Sequence, residues 1–213
     1  MLFGHSWGTI LGTVYLKAHP QQVAGYIGMG QVISMRQGEK IGYDRLGQLV
    51  TAKNNAKDLA VYTSFQGYPN YLTQDNFIKE IIRFRMFQRK YLQNDSTGIF
   101  KLILLMMKSP VFKLTDLRQS ADPMETNKYL LASLLDYDIT AGYDYAVPIF
   151  YICGRNDWQV PSVLAQKYFN LIQAPLKKLY WIEQAGHLTN IDNPAACAQA
   201  IEDILRNLTQ LNL

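Results

Sequence analysis

Ser6, Asp157 and His187 are the residues whose types, order and settings could do covalent chemistry together. A serine hydroxyl is a poor nucleophile until a neighbouring base takes its proton, and that base works best when an acid orients it. Ser6 lies in Gly4-His5-Ser6-Trp7-Gly8, which fits the G-x-S-x-G turn. That turn joins a strand to a helix and lifts its serine above a parallel sheet. Asp157 follows in "CGRNDWQVP" and His187 in "EQAGHLTN", each just past a run that reads as a strand. Catalytic groups gather at those carboxyl ends in open α/β sheets. Each residue alone has a plain structural reading. Small residues at G-x-S-x-G spacing mark many turns, Asn156-Asp157 suits a turn pair, and His187 suits a loop. Only the ordered combination points to a nucleophile, an orienting acid and a base.

The neighbours of Ser6 gain roles from the same reading. The backbone N–H of Trp7 is placed to donate to the oxyanion of a tetrahedral intermediate. Its indole either lines a pocket or packs under neighbouring structure. Gly4 and Gly8 flank a serine expected in a strained conformation, where side chains would collide with the strand and helix. His5 and His19 are rival bases. Adjacency to Ser6 does not aim the ring of His5 at the hydroxyl, and His19 suits the end of a helix before Pro20. Asp138 and Asp144 are weaker rivals for Asp157. Cys153 and Cys197 sit in apolar contexts without metal-ligand spacing and read as buried free thiols. No metal or organic cofactor is expected.

These groups need elements to hold them. After the turn, Ile10, Leu11, Val14 and Ala18 recur at helical spacing until Pro20. "VAGYIGMG" (Val23–Gly30), "VPIFYICG" (Val147–Gly154) and "KLYWIE" (Lys178–Glu183) read as strands. A helix from Pro161 carries Leu164, Tyr168, Leu171 and Ile172 on one face. A last helix starts at Pro194 with Asn193 as N-cap and buries Cys197, Ile201, Ile204, Leu205 and Leu208. Strands alternating with such helices predict an α/β fold with a parallel sheet. Residues 34–144 break the alternation. They are rich in helix formers, interrupted by Gly67, Pro69, Pro110 and Pro123, and predict a helical cap. The core is then 1–33 and 145–213.

With 48% hydrophobic and 18% charged residues the composition is that of a globular chain, and the net charge of +4 argues for no nucleic-acid partner. Much of that charge sits in "FIKEIIRFRMFQRKYL" (Phe77–Leu92), where Lys79, Arg83, Arg85, Arg89 and Lys90 face only Glu80. The plain reading is the solvated face of an amphipathic helix, rather than an anionic-ligand patch. The longest apolar run, Leu102–Met107, falls far short of the ~20 residues that span a bilayer. Without a visible leader, a soluble cytoplasmic protein is expected, with no membrane partner.

At "GHSWGT", "GRNDWQVP" and "AGH" the chain resembles the α/β-hydrolase family. Among its cap-bearing members it is similar to proline iminopeptidases. The resemblance implies a serine hydrolase with a Ser6–His187–Asp157 triad, acting on a small ester, amide or short peptide. It also shows departures. Position 5 is His where those enzymes usually read G-G-S-W-G, and the cap carries a basic stretch where theirs hold a substrate amine with acids. By the same resemblance, further strands and the loop supplying a second oxyanion donor belong ahead of the turn. The expectation is therefore the C-terminal half of the sheet, an incomplete core and self-association through the exposed edge at Met1–Phe3. A non-catalytic interaction protein, or a fragment needing a partner, is the alternative.

Overall fold

The computed structural model describes residues 1–92, 104–111, 113 and 133–210. Four parallel strands form its sheet in the order β1 (Leu2–His5), β2 (Tyr26–Met29), β3 (Ile149–Gly154) and β4 (Lys177–Ile182). The register pairs Gly4 with Gly28, Gly28 with Tyr151 and Gly154 with Ile182. All carboxyl ends therefore lie at one side of the sheet, and the segments that follow β1, β2, β3 and β4 meet there.

Alternation of side chains along β3 builds two cores, because successive residues of a strand point to opposite faces. Ile149, Tyr151 and Cys153 pack on one face with Leu16 of α1 (Trp7–Ala18) and with Leu164, Tyr168 and Phe169 of α5 (Ser162–Leu171). Phe150 and Ile152 pack on the other with Cys197, Ala200, Ile204 and Leu208 of α7 (Pro194–Gln210). The result is the helix–sheet–helix layering of an α/β fold. Asn193 caps α7 as expected, its Oδ1 accepting from Ala196 N–H at 3.2 Å. A short helical turn, α6 (Thr189–Asp192), precedes it.

Three predicted faces need correction. On α1 the buried residues are Thr9, Ile10, Gly12, Thr13 and Leu16, while Leu11 and Val14 are 60% and 58% exposed. Polar residues can occupy the buried side because they are paired. Thr9 Oγ1 donates to Ser6 O at 2.5 Å and accepts from Val32 N–H at 3.0 Å, and Thr13 Oγ1 accepts from buried Gln31. Leu171 of α5 and Leu205 of α7 are likewise exposed.

Among the described residues of 34–144 the elements are helices: α2 (Met35–Lys53), α3 (Ala56–Thr63) and α4 (Phe77–Leu92). None of their residues joins the main sheet; Ser34 and Asp138 form an isolated antiparallel bridge. These helices share a third core around Leu46, Val50, Phe65, Tyr68, Phe77 and Phe84, which also takes in Ile10 of α1 and Val32. The remainder of the predicted cap, including Leu102, Ile103 and Pro123, lies outside the described residues. Among the described residues, no helix is long and apolar enough to cross a membrane.

Candidate active site

Ser6 is held between β1 and α1 with φ 54° and ψ −122°. Positive φ is costly for a residue with a Cβ, and such strain persists only where surrounding structure enforces it. The enforcement is visible on both sides. Ser6 N–H donates to Met29 O at 3.0 Å, which ties the turn to β2, and Thr9 N–H donates back to Ser6 O at 2.8 Å. Gly4 is required sterically, because a Cβ there would lie 2.7 Å from Gly8 O and 2.9 Å from the Thr9 Cα. The expectation for Gly8 does not hold: a Cβ there meets nothing within 4 Å. Position 8 contributes its backbone, against which Gly4 packs.

The ring of His187 bridges Ser6 and Asp157. Its Nε2 lies 2.8 Å from Ser6 Oγ and its Nδ1 lies 2.8 Å from Asp157 Oδ2. His187 and Asp157 are buried, at 5% and 3% exposure. A carboxylate only accepts, so Nδ1 carries the hydrogen and the Nε2 lone pair faces the serine hydroxyl. Asp157 is itself fixed, its Oδ1 accepting from Gln159 N–H at 3.0 Å and Val160 N–H at 2.8 Å. The loop that carries His187 is pinned where Gly186 N–H donates to Asp192 Oδ2 at 2.9 Å. Such an arrangement can pass a proton from the serine to the ring while the carboxylate stabilises the imidazolium.

The rival groups fall elsewhere. His19 is exposed at the far end of α1, about 18 Å of helix from its start. Asp138 accepts from Thr140 and Gln37, and Asp144 bridges to Gln173 ahead of β3, away from the strands' carboxyl ends. His5 is near the site without reaching the serine. Its ring sits 5.0 Å from that of His187 and its Nε2 lies 3.1 Å from the His187 carbonyl oxygen. Burial lowers the pKa of His5, with the charge of His187 adding to the effect against that hydrogen bond and Asp157. Both cysteines are buried free thiols, and burial pushes Cys153 up to about 12 and raises Cys197.

Some contributors carry no local signal. Gly30, at φ +57°, turns the chain after β2; a Cβ there would lie 3.1 Å from His187 Cε1. Gly154 ends β3 where a Cβ would lie 2.0 Å from Gly186 O. Both glycines let the segments around His187 approach the sheet. Trp7 opens α1, so its N–H is one of the helix's orphan amides, and its indole borders the cavity while 45% exposed.

That cavity, of about 510 Å³, lies over Ser6 between the strand ends and α4. The basic stretch of α4 is not a simple solvated face. Arg85 donates to buried Glu39, to Gln159 O at 2.6 Å and to Trp158 O at 3.0 Å. Lys90 holds Asp58 at 2.6 Å, Arg83 meets Glu80 at 3.2 Å, and Arg89 borders the cavity. Among the described residues no group of three or more His, Cys, Asp or Glu side chains is placed to hold a metal.

Residues 1–194 match the family described as the alpha/beta hydrolase fold. The chain is 24% identical over 208 residues to the probable aminopeptidase YbaC of Bacillus subtilis (strain 168), an alignment covering 94% of this chain and 63% of that one. It is similar in fold to the crystal structure of VinJ (TM-score 0.64, 16% identity, 97% of this chain and 66% of the other). The same holds for proline iminopeptidase of Mycobacterium smegmatis (TM-score 0.60, 16% identity, 99% and 66%). The chain thus spans just under two thirds of the length of these relatives. With a parallel sheet, the strained serine turn and a family match over most of its length, the chain belongs to the α/β-hydrolase fold family.

Proposed function

We propose that the chain carries the machinery of a serine hydrolase acting on an ester or amide. Ser6 Oγ attacks the substrate carbonyl as its proton moves to His187 Nε2, and Asp157 holds the imidazolium through Nδ1–H. The tetrahedral oxyanion accepts a hydrogen bond from Trp7 N–H. Collapse expels the alcohol or amine, which takes the proton from His187. A water, deprotonated by the same ring, then frees the acyl group from Ser6. Helices α2 to α4 act as a cap that closes the site from above.

The observation that carries this reading is the single imidazole within 2.8 Å of both the Ser6 hydroxyl and the Asp157 carboxylate. The curated relative's name, probable aminopeptidase, belongs to the same reaction class, since amide and ester cleavage share this chemistry. Hydrolysis of a neutral p-nitrophenyl ester by the purified chain tests it. Ser6→Ala and His187→Ala are each expected to lower kcat by at least about 10³-fold in a protein that still melts cooperatively. Equal turnover by wild type and Ser6→Ala would remove the proposal.

A further inference from the structure

Six residues of α4, Ile78, Ile81, Ile82, Arg85, Met86 and Arg89, border the cavity over Ser6. Their spacing of three and four places them on one stripe of the helix. The stripe is aliphatic except for its two arginines, and the facing wall adds Val32, Val160 and Leu164. What such a cavity accepts depends on which of its charges are already satisfied.

Three charged residues border it: Glu39, Arg85 and Arg89. Glu39 is 2% exposed, and both of its oxygens are taken, Oε1 by Arg85 and Oε2 by the Tyr68 hydroxyl. Arg85 spends its other Nη donors on Gln88 Oε1 at 2.8 Å and the carbonyls of Trp158 and Gln159. That pair is neutral as a unit, and both Nη groups of Arg85 are taken. Arg89 is exposed, and among the described residues no carboxylate or carbonyl meets its guanidinium. The other cations of α4 differ. Arg83 and Lys90 are paired with Glu80 and Asp58, and Lys79 does not border the cavity.

We propose, building on the hydrolase reading above, that this cavity selects an ester or amide with an aliphatic body and one carboxylate, which Arg89 receives. A guanidinium presents paired N–H donors that match a carboxylate, and the branched aliphatic walls take the alkyl part. A substrate ammonium meets the opposite situation. The described lining carries a net positive charge, and its one carboxylate is occupied and buried. Like charge at a binding surface disfavours the wrong partner as surely as opposite charge attracts the right one.

The test compares three matched p-nitrophenyl esters over a range of chain lengths: a neutral alkanoate, the half-ester of a dicarboxylic acid, and an ω-amino alkanoate. The half-ester is expected to be preferred over the neutral ester by about fivefold in kcat/KM, mainly through KM, and over the amino ester by more. Raising the salt concentration should erode that preference. Arg89→Glu should reverse it, and Lys79→Glu, on the same helix but off the cavity, should leave it in place. The inference is overturned if the amino ester is preferred, if the three esters are cleaved alike, or if Lys79→Glu acts as strongly as Arg89→Glu. Calorimetry with Ser6→Ala separates the two proposals, because it needs no turnover. Tighter binding of an alkyl carboxylate than of the matching alkylammonium, lost in Ser6→Ala/Arg89→Glu, supports the inference even if no ester is cleaved. In that case only the hydrolase reading falls, and equal binding of the two probes overturns the inference.

Discussion

His5 joins the serine turn to the loop of His187, 182 positions away, by one hydrogen bond. A carbonyl oxygen only accepts, so Nε2 of His5 carries the hydrogen. The bond survives in the neutral ring, which burial favours, against the opposing influence of Asp157 and with the charge of His187 adding to it. The folded pKa is therefore below the unfolded value of about 6.5, and the unfolded chain binds more protons in the interval. Stability linked to His5 is thus fully present above pH ~6.5 and falls as the pH drops toward the folded pKa. Thermal melts of wild type and His5→Gln, which keeps a donor but does not titrate, should agree near neutrality. As the medium is acidified the wild type should lose stability faster; parallel loss in both would contradict this. The positions of Ser6, Asp157 and His187 were legible because a local turn and two strand ends announce them. Glu39 and Arg85 were not, since their pairing joins positions 46 apart that only the packing of α2 on α4 brings together.

Elements explain why two glycines of one motif differ. Gly4 of β1 packs against the first turn of α1, whereas Gly8 faces open space. Gly4→Ala is expected to destabilise the chain by about 1–3 kcal/mol through overpacking. Gly8→Ala should be neutral or stabilising by up to about 1 kcal/mol, because alanine suits a helix better than glycine. Urea unfolding of both variants checks the contrast, and equal losses would contradict the geometry. Helix α4 offers a second case. Arg85→Met would leave Glu39 buried and unpaired, at an expected cost of about 3–5 kcal/mol, and adding Glu39→Gln should recover much of it. Strand and helix identities were readable from apolar runs and their spacing. The buried face of α1 was not, because Thr9 and Thr13 are buried through bonds to distant partners while Leu11 and Val14 lie outward.

At the scale of the molecule, β1 is an edge strand, and α1 carries exposed apolar side chains. Phe3, Trp7, Leu11 and Val14 are 48%, 45%, 60% and 58% exposed. Unpaired strand edges and exposed apolar side chains favour association. Light scattering should therefore show mass rising with concentration, reduced by Leu11→Lys combined with Val14→Lys; a monodisperse monomer at all concentrations would contradict this. The third core, where helices α2 to α4 reach Ile10 and Val32, was not legible in the sequence, because no local pattern marks which helix faces meet.

The most direct measurement is covalent labelling of the purified chain with a fluorophosphonate, read by peptide mass mapping. One adduct is expected, on Ser6, formed rapidly by wild type and abolished in His187→Ala while its melt remains cooperative. A folded wild-type chain that leaves Ser6 unlabelled, or labelling that persists at the same rate in His187→Ala, would contradict the triad.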